Sequence, residues 1–252
     1  MKVNVLGICG SPVKGGNVEK LLEITLDVAR EEKDVEVQEM VKLAGTKIQD
    51  CNQCNWCLTK QEEGKFCNKN DDMMPIYPKI MAADVILIAT PTYISRSATY
   101  AEALIGRLRC IGEGMYYRFR PEARLCDKVG GALTVAYMRH AGVETALLSI
   151  IQSFIMFNLV VASGGPLSVY GVGAVSSKGG AGGCDMTDRH PAIHDDVAIR
   201  SAEFIAKRAV CLAKIIKAGK QALPMDEWST WLKVLDREMD NNLAFQLKRK
   251  ST

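Results

Sequence analysis

The sequence lacks any apolar run able to cross a bilayer. Its most apolar stretch, Ala146 to Ala162, is too short and is interrupted by Ser149, Gln152, Ser153 and Asn158, so it reads as a buried helix running into a strand. Charge of one sign is also missing: Lys plus Arg number 32 and Asp plus Glu 29, a net +3 over 252 residues. So slight an excess, spread along the chain, predicts no nucleic-acid partner. The opening MKVNVLGICGSP lacks the long apolar region and small-residue cleavage site of a signal peptide. A cytoplasmic protein with no membrane partner is the expectation. The 21 glycines have no three-residue period, which excludes collagen. A 48% hydrophobic content excludes wholesale disorder.

What is present is an alternation of strand and helix signals, on a chain long enough for one large α/β domain. Lys2 to Cys9 is a short β-branched run, a buried strand. Gly10 to Asn17 is a Gly- and Pro-containing turn, and Val18 to Glu31 has helical periodicity. Val35 to Val41 alternates like a second strand, and Leu43 to Asn70 is irregular. Asp71 and Asp72 read as caps of a helix to about Ala82, with Pro75 and Pro78 in its first turn. Val85 to Ala89 is a third strand, Ser97 to Leu108 a helix, Val129 to Tyr137 a fourth strand, Val143 to Phe157 a helix and Leu159 to Ala162 a fifth strand. The Gly-rich Gly171 to Gly183 reads as a loop, and Asp195 to Ala218 as a long helix. Met225 to Leu247, beyond Pro224, reads as a final amphipathic helix whose Trp228, Trp231, Leu232, Val234 and Leu235 face its own or a sister subunit. This pattern predicts a flavodoxin-like, doubly wound, five-stranded parallel sheet of order 2-1-3-4-5, with a Cys-rich insertion and an extra C-terminal helix. Residues 1–222 form the expected domain, residues 43–70 its Cys loop, and residues 223–252 a helical extension.

In such sheets ligands sit at the carboxyl ends of the strands. The first of these loops, Gly10-Ser11-Pro12-Val13-Lys14-Gly15-Gly16-Asn17-Val18, precedes a helix N-terminus, where backbone N–H groups favour an anion. It is neither a Walker loop nor G-x-G-x-x-G, so the choice lies between a phosphate site and an ordinary turn. The loop after the third strand carries Pro91-Thr92-Tyr93-Ile94, where Tyr93 either stacks on an aromatic ligand or packs in the core. The loop after the fourth strand, Tyr137 to Gly142, offers Arg139 and His140, which either face a ligand or are plain surface residues.

Cys51, Cys54, Cys57 and Cys67 fall within 17 residues, spaced C-x2-C-x2-C-x9-C. Cys9, Cys110, Cys126, Cys184 and Cys211 are scattered, and Cys9 reads as a small buried apolar residue. A disulfide framework does not suit a reducing compartment. No His lies within seventy residues of Cys67, and structural zinc more often uses separated C-x2-C knuckles or His. Three close Cys and a distant fourth resemble 4Fe-4S ligation; zinc and free redox thiols are the alternatives. Following the strand beside the first one, the Cys loop should share the sheet edge with the anion loop.

GSPVKGGNVEKLL resembles the GSPRKxGNT loop of NADPH-dependent FMN reductases. Together with CNQCNWC…FCNKNDDMMPIYPKIMAADVILIATPTY, it is similar to the iron-sulfur flavoprotein family of anaerobic archaea and bacteria over residues 1 to 165. Val13 stands where the family carries Arg, and Glu102 and Gly106 where it carries Lys and Asp, with Arg107 retained. The third loop reads Ala141-Gly142-Val143-Glu144 in place of G-G-x-E. The resemblance implies FMN, with its phosphate on Ser11, Lys14, Gly16, Asn17 and Val18. It places the isoalloxazine against Pro91, Thr92, Tyr93 and Ile94, near Arg139, His140 and Gly142. It also implies a 4Fe-4S cluster on Cys51, Cys54, Cys57 and Cys67, and a homodimer or homotetramer.

The reading favoured is an oxidoreductase passing electrons between a one-electron carrier such as ferredoxin and FMN, by way of the cluster, to reduce a small-molecule acceptor. Tyr93, Arg139 and His140 are the candidate proton donors. The alternatives are an NAD(P)H-dependent flavin or quinone reductase with structural zinc, and a redox-sensing binding protein without turnover.

Overall fold

A computed structural model describes residues 1–61, 64–116, 125–183, 187–224, 227 and 230. The first apolar run is strand β1 (Val3–Cys9), followed by helix α1 (Asn17–Glu31), β2 (Val35–Val37) and β3 (Val41–Lys42). A single turn, α2 (Trp56–Thr59), lies in the Cys-rich stretch, and α3 (Ile76–Ala82) follows it. Next come β4 (Val85–Tyr93), the two-residue β5 (Arg96–Ser97), α4 (Thr99–Arg107) and α5 (Arg109–Tyr116). The chain continues through β6 (Val129–Ala136), α6 (Val143–Met156), β7 (Val160–Ala162), β8 (Val172–Val175) and α7 (Asp196–Ala222).

β1, β4 and β6 form the centre, in parallel register from Val5↔Val85 and Val85↔Val129 to Pro91↔Val135. Each outer position is split: β2 and β3 both pair with β1, and β7 and β8 both pair with β6. The eight strands therefore reproduce the expected 2-1-3-4-5 order, with β5 a short antiparallel addition to β4. α1 and α7 bury Leu21, Leu22, Ile205 and Val210 against one face. α3, α4 and α6 bury Tyr77, Leu104, Ile150 and Phe154 against the other. Burying both faces explains the continuous apolar runs of β4 and β6. In β6, Gly130 lets α6 come close, because a Cβ there would stand 2.6 Å from the Phe154 ring.

Four expectations change. The Gly-rich stretch contains β8, because Val172 and Ala174 pack inward between α7 and β6, and at Gly173 a Cβ would stand 2.4 Å from Val143. Asp71 and Asp72 do not cap α3: Pro75 stands at its N-cap, and the two carboxylates instead hold the backbone of residues 47–49. Pro91, Thr92 and Tyr93 belong to β4 rather than to the loop beyond it. The helix expected from Ser97 to Leu108 is α4, and a second helix that was not expected, α5, follows it directly. The proposed helix at 225–247 lies outside the described residues except for Glu227 and Thr230, as does the basic end Lys248-Arg249-Lys250. Among the described residues no helix is long and apolar enough to cross a membrane.

Candidate functional site

The loop after β1 is shaped by its own side chains. Ser11 is buried and its Oγ accepts from the Val13 N–H at 3.1 Å. The Gly15 N–H donates to Glu19 Oε2 at 2.9 Å, and Glu19 also pairs with Lys42 at 2.8 Å. Burial would raise the Glu19 pKa, but these hydrogen bonds and the Lys42 charge hold it below the ordinary carboxylate range. Because Lys42 neutralises it, this carboxylate does not oppose an anion nearby. Among the described residues no side chain caps the first turn of α1, so its leading N–H groups face the open edge of the sheet. Lys14 is exposed and makes no ion pair among the described residues. Asn17 begins α1, and its Oδ1 accepts from the Ala192 N–H at 3.0 Å. The Val18 side chain is buried, leaving only its backbone to meet a ligand.

Next to this loop the tips of β4 and β6 expose large apolar groups. Pairing of Pro91 with Val135 places Tyr93 and Tyr137 at neighbouring strand ends. Tyr93, Ile94, Tyr137 and Met138 are all exposed, Ile94 to 95%. Ile94 and Ser95 take the left-handed conformation, at φ 48° and 61°, which is strained for a β-branched residue and recurs at functional sites. Gly142, at φ 90°, lies directly on Ser95: a Cβ there would stand 2.4 Å from the Ser95 Cα. The second and third loops are thus locked together. The Thr92 hydroxyl is committed to Thr134 at 2.8 Å within the core, so of the second-loop candidates only Tyr93 and Ile94 reach solvent.

The turn after β8 supports the third loop. Arg139 N–H donates to Gly180 O at 3.0 Å, Tyr137 OH to Gly182 O at 2.6 Å, and Ser177 Oγ to Tyr137 O. Arg139 packs over Gly180 and His140 is exposed beside it. Between this turn, the start of α7 and Asn17 opens a cavity of about 690 Å³, lined by Tyr137, Arg139, Lys178, Arg189 and His194 among others. The polar segment Asp188–His194 was not foreseen as part of the site. Its composition is that of a surface loop, and only the fold brings it onto residues far earlier in the chain.

The Cys loop leaves the sheet beside β1, where the Leu43 N–H donates to Cys9 O at 2.9 Å. It then crosses to α3, α4 and α5. Arg107 anchors its base: Nη1 donates to Gln49 O at 2.8 Å and to Asp71 Oδ2 at 2.6 Å, and Nη2 donates to Asp71 Oδ1 at 3.2 Å. These side chains are 1% and 4% exposed. Burial would raise the Asp71 pKa, but the Arg107 hydrogen bonds and charge, with the N–H groups of Gln49 and Met73, hold it below the ordinary range. Buried Gln61 donates to Phe66 O and Cys110 O at 2.9 and 2.8 Å, fixing the far side of the loop. Cys54 and Cys67 both reach Asn68 Oδ1, at 3.5 and 3.8 Å, and Cys57 is buried in α2. Among the described residues the four thiols do not already converge as a metal site. Cys9 is 1% exposed, as a small apolar residue should be, and burial pushes its thiol up to about 11.

The profile of the family described as NADPH-dependent FMN reductase matches residues 3–170. A protein of Methanocaldococcus jannaschii named iron-sulfur flavoprotein is 31% identical over 216 residues, 85% of this chain and 100% of the relative. One of the same name from Methanosarcina thermophila is 29% identical over 218 residues, 86% and 99% of the two chains. Among solved structures, RosB with bound 8-demethyl-8-formylriboflavin-5'-phosphate superposes with a TM-score of 0.65 at 14% identity, covering 92% of this chain and 86% of that one. At that identity the likeness shows the fold alone.

Proposed function

Because the chain belongs to the iron-sulfur flavoproteins of the NADPH-dependent FMN reductase family, and is therefore an FMN-dependent oxidoreductase, we propose that it passes electrons between a one-electron carrier such as ferredoxin and a small-molecule acceptor. The observation that carries this is one open edge of the sheet. There a helix terminus and Lys14, uncapped and unpaired among the described residues, adjoin an exposed apolar platform at Tyr93, Ile94, Tyr137 and Met138, and the Cys loop departs beside them. The residues fit FMN. The first-turn N–H groups of α1, the free amide hydrogens of Asn17 and Lys14 suit a phosphate, and the platform suits a flat ring.

The donor chemistry of Cys51, Cys54, Cys57 and Cys67 fits a 4Fe-4S cluster. Lys65, Lys69 and Arg109 stand on or against this loop and would offset thiolate charge. The loop has to tighten to bring all four thiols onto one cluster, with its base kept in place by Arg107. When bound, flavin and cluster supply the conversion between two-electron and one-electron transfer. The chain's own part is to bind, orient and shield them. We assign proton delivery to a reduced acceptor to Tyr93 and His140, exposed residues of the second and third loops. Arg139 instead lies over Gly180 and lines the cavity. We assign the C-terminal segment to packing on its own subunit or on a sister subunit of a homodimer or homotetramer.

Anaerobic purification followed by iron, sulfide and flavin analysis tests this. About four iron, four sulfide and one FMN per chain are expected, with both chromophores bleached by reduced ferredoxin. Zinc without sulfide would replace the cluster with a structural metal. Absence of FMN after reconstitution would overturn the reading.

A further inference from the structure

The loop after β1 offers a phosphate the first-turn N–H groups of α1, but few side chains. Ser11 is turned inward, the Gly15 N–H serves Glu19, and Asn17 Oδ1 serves Ala192. Its single cation, Lys14, extends toward Gly45, with Nζ 3.9 Å from where a Gly45 Cβ would be. The segment before α7 lies across the same loop. His190 Nε2 bonds Gly15 O at 2.8 Å, and the Ala192 N–H bonds Asn17 at 3.0 Å. These two bonds place Arg189 so that its Nη2 is 3.6 Å from the position of a Gly15 Cβ.

The charges around the adjoining cavity are unequal in their freedom. Asp188 is engaged by His194 at 3.4 Å and by the His190 N–H, Asp195 by the Val175 and Ala198 N–H groups, and Asp196 by Arg200 at 3.5 Å. Arg139, Lys178 and Arg189 have no ion pair among the described residues. The lining thus carries three cations and three carboxylates, and among the described residues it is the cations that have no fixed partner beside the helix terminus. A guanidinium suits a phosphomonoester, since its planar fork of donors meets two oxygens at once.

We propose that Arg189 is a phosphate-binding residue: carried on the segment before α7, it closes the loop after β1 into a phosphomonoester site that selects FMN over unphosphorylated flavin. The proposal rests on the reading that FMN occupies this sheet edge. Two hydrogen bonds hold the segment in place beforehand, so little ordering cost falls on binding.

The test is titration of apoprotein with FMN and with riboflavin, read by flavin fluorescence, for the wild type, R189A and R189K. R189A should raise the FMN Kd roughly 10- to 100-fold, the range for a lost charge-assisted pair, and leave the riboflavin Kd within about twofold. R189K should recover part of the FMN affinity and none of the fork geometry. An R189A protein that keeps the wild-type ratio of FMN to riboflavin affinity overturns the proposal. So does equal weakening of both ligands, which would make Arg189 a prop for the loop. Wild type that binds both flavins equally overturns it while leaving a flavin site. Wild type that binds neither removes the flavin reading and this proposal with it.

Discussion

Replacing Arg107 by Met should cost this protein about 3–5 kcal/mol, the usual consequence of leaving one member of a buried ion pair without its partner. The side chain is 1% exposed and makes three hydrogen bonds, two to Asp71 and one to Gln49 O. Met fills most of the volume but supplies no donor. The Asp71 carboxylate, 4% exposed, is then supported by backbone N–H groups alone. Against a typical domain stability of about 5–15 kcal/mol the loss is large. The double variant D71N/R107M should lose about 2 kcal/mol less than the sum of the single changes, because the stranded charge is gone. Denaturant unfolding of the cluster-free chain, followed by circular dichroism, gives these values.

The pH dependence supplies an independent sign. In the wild type the folded Asp71 pKa lies below the unfolded value of about 3.9, so its stabilisation is complete above that pH and fades as pH falls below it. In R107M, burial is no longer offset, and the folded pKa should rise above about 3.9. The folded state then binds the extra proton, and R107M should regain stability on acidification from neutrality. A loss below about 1 kcal/mol, additive single changes, or parallel pH profiles would refute the anchoring role assigned to this pair. Since the pair holds Gln49, just before Cys51, R107M should also retain less iron.

Three further outcomes follow from geometry. Lys128 is buried, with Nζ donating to Met81 O and Ala83 O, and burial lowers its pKa to about 8. Between there and about 10.4 the unfolded chain binds more protons, so wild-type stability should gain up to about 3 kcal/mol across that window relative to K128M, measured by paired unfolding curves. Gly142→Ala puts a Cβ onto Ser95 at a positive φ and should weaken FMN binding roughly tenfold or more, read by flavin titration; unchanged affinity would separate the Ser95 contact from the ligand edge. Gly130→Ala forces a methyl against the Phe154 ring and should cost about 1–3 kcal/mol in thermal unfolding, with flavin affinity retained.

The strand and helix order could be read from sequence because burial on both faces leaves unbroken apolar runs, as in β4 and β6, and because helices keep their own period, as in α1 and α7. The Gly-rich turn after β1 and the spacing of the four cysteines were also local, so they too were visible before the fold. What local pattern concealed were choices made by distant neighbours. β8 is hidden among glycines because those glycines admit Val143 and the Ala132 backbone, which are remote in sequence. Ser11 and Thr92 look like ligand hydroxyls but spend their hydrogen bonds on Val13 and Thr134. Asp71 resembles a helix cap until Arg107, 36 residues later, takes its carboxylate. Arg189 reads as one more surface charge, and only the two hydrogen bonds made 175 residues back along the chain set it beside Gly15. Periodicity is a property of neighbours along the chain. The partner that satisfies a buried polar group, or leaves a cation free, is decided by tertiary packing alone.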